Sequence, residues 1–325
     1  MLLWCASLQK LIPKITDQEK LNTFLHQFAS TVTLDQVNDL TSGVYAHSSL
    51  LAMTKDWNLF VEFCQSKSVS PLPASVTAFR QYIEKESKQK KYATLRRYVV
   101  TVSLVHKLLA LPDPAKNHQI QKSLATIRLD KQGDAKQTHA FGQDQLEQLT
   151  QKNARSSSIR DCRNLAIYHV MFHSLMKRKD LRDLRFSQIA IGDSGAVITI
   201  EESIYHLDEV STGILERWIN LRGLQGEFVF TAIDRHENIS TMPLNDSSIY
   251  RILRAASDEL NLDVQFSGQS LRVGAIEQLA KQGMKPKEIQ YAGRWLSPAM
   301  PYQYLGNKTQ SELEKLQFIS IKPFE

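Results

Sequence analysis

Cysteine is scarce in this 325-residue chain: Cys5, Cys64 and Cys162 are the only three, odd in number and far apart. No two of them form a CxxC pair, which argues against a zinc site or a disulfide framework. Cys64 and Cys162 fall in segments of helical apolar spacing and read as buried thiols, the pattern of a reducing cytoplasm. Long apolar runs are missing as well. The start, Met1-Leu2-Leu3-Trp4-Cys5, is short and has no Lys or Arg before it, so it does not read as a signal peptide. No stretch approaches the roughly 18 uncharged apolar residues of a membrane span. Internal repeats and low-complexity tracts are absent too. The expectation is a soluble cytoplasmic protein with no metal and no membrane partner.

What is present is ordinary globular material, 42% hydrophobic and 23% charged, in a length that suits two domains. The net charge of +6 and the pI of about 9.1 suit a polyanionic partner, because binding phosphates releases condensed counterions. Many basic proteins bind nothing acidic, so charge alone does not decide the point.

Residues 1–34 read as an N-terminal leader or arm, with Leu8, Leu11 and Ile15 hinting at a short helix broken by Pro13. From about 44 to 67, Leu50, Met53, Trp57, Phe60, Val61 and Cys64 recur at helical spacing. Val76, Phe79, Tyr82 and Ile83 mark a second helix. Leu95, Tyr98, Val99, Val102, Val105 and Leu109 mark a longer third, which stops before Pro112 and Pro114. Ile120, Leu124 and Ile127 mark a fourth over about 117–129. Residues 35–130 therefore read as a helical bundle. Lys88, Lys90, Lys91, Arg96 and Arg97 cluster at the start of the third helix. Such a cluster is either a solvated polar face or a surface that contacts phosphates.

Residues 131–140 are polar and aperiodic and read as a linker, leaving 141–325 as a second domain. Helices are expected near 143–150 and 158–176. A hairpin follows, Ile189 and Ile191 being separated from Val197, Ile198 and Ile200 by the turn Gly192-Asp193-Ser194-Gly195, with a third strand near 203–208. The remainder is helical: 211–221, 245–260, 270–282, 286–291, about 298–304 and 309–317.

Two segments of this second domain resemble the tyrosine recombinases of the phage integrase family. One runs from Asp161-Cys162-Arg163-Asn164-Leu165-Ala166 into Ser174-Leu175-Met176-Lys177-Arg178-Lys179-Asp180-Leu181. The other is Ser267-Gly268-Gln269-Ser270-Leu271-Arg272-Val273-Gly274-Ala275, followed by Ala292-Gly293-Arg294-Trp295 and by Tyr304 nine residues after the tryptophan. The resemblance covers about residues 35–320. It implies a mainly α fold with a small antiparallel β-sheet: a helical core-binding domain, a linker, and a recombinase catalytic domain with a C-terminal helix. It also implies a tyrosine that attacks a DNA phosphate, forms a 3′-phosphotyrosyl link and releases a 5′-hydroxyl, with two arginines, a hairpin lysine, a histidine and a histidine or tryptophan assisting. No cofactor is implied, because the covalent link stores the bond energy.

Carried over position by position, the resemblance makes Tyr304 the nucleophile, with Tyr302 as the neighbouring alternative, Arg272 the second arginine and Trp295 the histidine-or-tryptophan position. Elsewhere the chain departs from the pattern. Lys177 stands at the first arginine and cannot make a planar two-pronged phosphate contact. Arg178, one helical step away, would point about 100° elsewhere. Asp180 replaces the supporting glutamate. Gln269 replaces the histidine and cannot shuttle a proton. No lysine occurs between Lys179 and Lys281; the hairpin carries Glu201, Glu202 and His206 instead. Two functions follow as expectations. One is a divergent recombinase acting on double-stranded DNA with inverted-repeat arms, as a dimer on a site and a tetramer in synapsis. The other is a catalytically impaired DNA-binding protein on the same fold, associated with the nucleoid. In the family the C-terminal helix packs on the next protomer; Leu313, Leu316 and Phe318 would be its apolar face, or would pack at home. An unrelated helical regulator would leave Arg272, Trp295 and Tyr304 apart in space.

Overall fold

In the computed structural model the chain divides into two units, 1–136 and 137–325, so the division falls inside the polar 131–140 segment. The structure describes residues 15–134 and 138–321, without the side chains of 316–321.

The first unit is helical: α1 Gln18–Phe28, α2 Leu34–Leu40, α3 His47–Ser66, α4 Val76–Ser87, α5 Tyr92–Leu108 and α6 His118–Asp130. Trp57 and Phe60 of α3, Phe79 and Tyr82 of α4 and Leu95 and Val102 of α5 close its core, with ring centroids 5–6 Å apart in edge-on pairs. The bundle begins earlier than residue 35. Asp17 caps α1 through its side chain, and Phe24 and Phe28, four residues apart on one face, are buried in the same core. The hinted helix around Leu8 and Leu11 lies outside the described residues.

The second unit is built on α8 (Ile159–His173), which is buried on every side and is therefore the central element. On it pack α7 Gln143–Asn153, α10 Glu209–Arg222 and α12 Ser270–Lys281, and the unit also holds α9 Arg178–Arg182, α11 Asp246–Glu259, α13 Pro286–Ala292, α14 Ala299–Tyr304 and α15 Lys308–Ile321. Strands β1 Ile189–Gly192, β2 Gly195–Ile200 and β3 Ser203–His206 pair antiparallel in the order β1-β2-β3. Ala196, Ile198 and Ile200 of β2 face the core, and Asp193-Ser194 makes the two-residue turn. The sequence reading has one small sheet; there is a second, β4 Thr231–Ile233 with β5 Ile239–Pro243, whose strands are too short to show a period. Among the described residues no helix is long and apolar enough to cross a membrane.

One glycine of this unit is required by close approach. A Cβ on Gly274 of α12 would lie 1.7 Å from the Phe141 carbonyl oxygen, while Phe141 N–H donates to Ser270 O at 2.9 Å. The segment entering the second unit is thus clamped to the helix that carries Arg272.

Candidate active site

Arg272 sits in the first turn of α12 and is only 2% exposed. Its Nη2 donates to Gly293 O at 2.7 Å, and its guanidinium lies 4.2 Å over the Trp295 ring. Burial pushes this guanidinium down to about 10, and the positive charge of Arg294 pushes it the same way. Its Nε is buried with no hydrogen-bond partner among the described residues.

The turn after α13 is shaped for this arrangement. Gly293 lies under the indole, where an added Cβ would meet Trp295 Cζ3 at 1.6 Å. The backbone N–H of Trp295 donates to Gln290 O at 3.0 Å, which holds the main chain of this turn. Trp295 and Tyr304 have ring centroids 6.2 Å apart. Tyr304 ends α14, and its Oη lies 3.5 Å from Gln269 Oε1, the outer limit of a hydrogen bond. Burial raises the Tyr304 pKa, opposed in part by Arg272. Tyr302 takes part in none of these contacts. Four of the candidates, Arg272, Trp295, Tyr304 and Gln269, thus form one cluster.

Lys177 stands differently. It is exposed and has extended backbone as the residue capping α9, so Lys177 and Arg178 are not separated by one helical step. Arg178 is not turned away: its side chain crosses Gly268, where a Cβ would lie 2.7 Å from Arg178 Cδ and Nε. The backbone N–H of Lys177 donates to Asp180 Oδ2 at 3.1 Å, and the same oxygen accepts from Arg294 Nη2. Arg294 carries the signal that sequence reading passed over. Its side chain is 9% exposed, paired with Asp180, and lies 5.7 Å from the Tyr205 ring centroid of β3. Tyr205 in turn donates to Ala292 O at 2.5 Å, which ties the sheet to the turn. Glu201 and Glu202 form the exposed turn between β2 and β3, and His206 is exposed. A cavity of about 530 Å³ against α8 and α10, lined by Cys162, Glu209 and Arg217, holds none of these side chains.

In the first unit Lys88 and Lys91 are exposed and Lys90 half-buried in the tight connection between α4 and α5; Arg96 is exposed in the first turns of α5. Arg97 is committed elsewhere. Its Nε and Nη2 each donate at 2.8 Å to the Asp56 carboxylate, which is 1% exposed. The α15 helix is held to α14 at home by Ser311 Oγ donating to Ala299 O at 2.7 Å. Leu313 is 48% exposed, and the side chains of Leu316 and Phe318 lie outside the described residues.

A family model described as the phage integrase family matches residues 139–311, more than half of the chain. The chain belongs to the phage integrase family. Lys177, Asp180, Gln269, Arg272, Trp295 and Tyr304 all fall inside that segment. Among curated proteins this family member is 22% identical over 285 residues to recombinase Cre of Escherichia phage P1, spanning 79% of this chain and 82% of that one. It is 22% identical over 281 residues to an integrase/recombinase XerD homolog of Selenomonas ruminantium, spanning 80% and 82%. Similar solved structures include XerH site-specific recombinase bound to a palindromic difH substrate, with TM-score 0.64 and 12% identity over 96% of this chain and 92% of that one. Another is a lambda integrase dimer bound to a COC′ core site, with TM-score 0.60 and 15% identity over 89% and 80%. At these identities the structural likeness is one of fold.

Proposed function

We propose that this phage integrase family member is a site-specific DNA recombinase or integrase that works through a 3′-phosphotyrosyl intermediate on Tyr304. The observation that carries this is the convergence of Arg272, Trp295, Gln269 and Tyr304, from α12, α14 and the turns before them, in one half-buried cluster. Tyr304 gives its proton to solvent as Oη attacks the phosphorus, the bond to the 5′ oxygen breaks, and the strand leaves as a 5′-hydroxyl once that oxygen takes a proton from water. Arg272 balances the charge on the non-bridging oxygens, held in plane by the Trp295 face and Gly293 O.

The rate is expected to be low. Gln269 accepts a hydrogen bond but not a proton, and burial raises the Tyr304 hydroxyl above its ordinary value, which makes it harder to ionise. With no lysine on the hairpin, the leaving oxygen takes its proton from water; loss of a general acid costs about 10²–10⁴-fold. Lys88, Lys90, Lys91 and Arg96 contact the DNA backbone from the first unit, while Arg97 supports α5 through Asp56. The partner is double-stranded DNA with inverted-repeat arms, bound by a dimer that pairs into a tetramer. The lambda integrase solved as a dimer on a core site supports the dimer, and the XerH recombinase solved on a palindromic substrate supports the inverted repeat. The place of action is the nucleoid in the cytoplasm.

A second reading, a recombinase-fold protein that binds DNA without cutting it, is favoured by the exposed Glu201-Glu202 turn where the family has its lysine. Nicked duplexes tiled across the flanks of the protein's own gene separate the two. An SDS-resistant adduct that persists in Tyr302→Phe and vanishes in Tyr304→Phe supports the recombinase. Tight binding with no adduct supports the second reading.

A further inference from the structure

Lys177 occupies the sequence position of the family's first arginine, yet its side chain is exposed and only its backbone N–H reaches Asp180. The carboxylate of Asp180 instead holds Arg294. Arg294 has φ +55, a left-handed conformation that a glycine would adopt without strain. That backbone belongs to the end of α13, while the side chain turns inward, 9% exposed, onto Asp180. Asp180 takes one edge of the guanidinium through Nη2, while Nη1 is buried with no partner among the described residues. Arg272 Nε is in the same condition. Arg272 is bonded to the carbonyl of Gly293, the residue before Arg294, and the two guanidinium charges repel. Two buried cations thus share one carboxylate. The remaining positive charge and the two unspent donors are complementary to an anion.

We propose that Arg294, not Lys177, supplies the second guanidinium for the scissile phosphate, and that Asp180 is the carboxylate that orients it. This rests on the recombinase reading above. A planar guanidinium can meet Asp180 on one edge and a phosphoryl oxygen on the other, which an ammonium at Lys177 cannot. Arg178, lying over Gly268, is the competing cation, and it has no buried unpaired donor.

The probe is a duplex from the gene's flanks that the protein binds, used intact, nicked, and nicked with a methylphosphonate at the cleaved position. Arg294→Gly suits the local backbone. It is expected to make the dependence of log affinity on log salt shallower by about one and to slow adduct formation about 10²–10³-fold. The methylphosphonate lacks the anionic oxygen that the guanidinium would meet, so it should recover about tenfold or more of the loss in Arg294→Gly. It should recover none in Tyr304→Phe. The double variant Asp180→Asn with Arg294→Gly should behave alike, since no orphaned carboxylate is then left. An unchanged salt slope overturns the proposal, as does the appearance of these signatures in Arg178→Ala or Lys177→Ala instead. Should the wild type bind the duplex and form no adduct, the cutting chemistry fails, and the salt slope alone still decides the role of Arg294.

Discussion

Arg272→Met separates a functional arginine from a structural one. The wild-type guanidinium is 2% exposed and held by one carbonyl and one aromatic face, with no carboxylate of its own. Its fall from 12.5 to about 10 corresponds to about 3 kcal/mol. The sign follows from the protonation states. At pH 7 the arginine is charged in both the folded and the unfolded chain, so the folded state carries the whole penalty. Methionine has a similar length, removes the charge and keeps a sulfur on the indole face, a contact of about 0.3–1.5 kcal/mol. Losing the bond to Gly293 O costs about 1–3 kcal/mol. The net effect on the second unit is therefore between no change and a gain of about 2 kcal/mol, while adduct formation is lost. Hydrogen exchange of the α8 core amides, followed through increasing urea, reads the unit's opening free energy. A loss of about 3 kcal/mol or more would refute this reasoning and make Arg272 a structural residue.

His169 is 4% exposed, hydrogen-bonded at 2.8 Å to Ser211 Oγ and to Thr150 Oγ1, and its pKa is lowered to about 4, chiefly by burial. Between pH 6.5 and about 4 the unfolded chain binds a proton that the folded one does not, so stability should fall by about 3 kcal/mol as the pH drops through that window; urea midpoints should show this, and His169→Gln should flatten it. Arg97→Ala, which strands the buried Asp56 carboxylate, should destabilise the first unit by about 3–5 kcal/mol, whereas Arg96→Ala should leave stability alone and make the salt dependence of DNA binding shallower by about one; equal behaviour of the two in urea unfolding and gel shifts would refute the distinction. Because burial raises the Tyr304 pKa above its usual 10 and Gln269 cannot take the proton, adduct formation should climb about tenfold per pH unit from 7 to 9. A plateau in that rate near neutral pH would reveal a general base that the cluster lacks.

The helical periods from Leu50 to Ile127 and the Gly192–Gly195 turn were legible because each helix buries one face and each strand alternates. The α1 helix was readable in principle from Asp17, Phe24 and Phe28, but its single aromatic pair was too short a run to stand out against a polar stretch. Strands β4 and β5 carry three and five residues, and no period shows at that length. The spacing from Arg272 to Trp295 to Tyr304 was visible because each lies in a short fixed motif. The fate of Arg97 was not, since Asp56 is 41 residues away in sequence. Arg294 was hidden for a similar reason. A cation beside a glycine and a tryptophan reads as a solvated side chain until the fold brings Asp180, 114 residues earlier, against it. The direction of Arg178 was not legible, because Lys177 precedes the first turn of α9 in extended backbone and the two are not one helical step apart.

The most direct test of the account is to find the nucleotide on the protein. The wild-type chain is incubated with a nicked duplex that it binds, and the complex is digested with nuclease and trypsin. The peptide 295–308, which contains both Tyr302 and Tyr304, is then sequenced by mass spectrometry. The account predicts a phosphodeoxynucleotide on Tyr304. An unmodified peptide from fully bound protein, or a nucleotide on Tyr302, would contradict it.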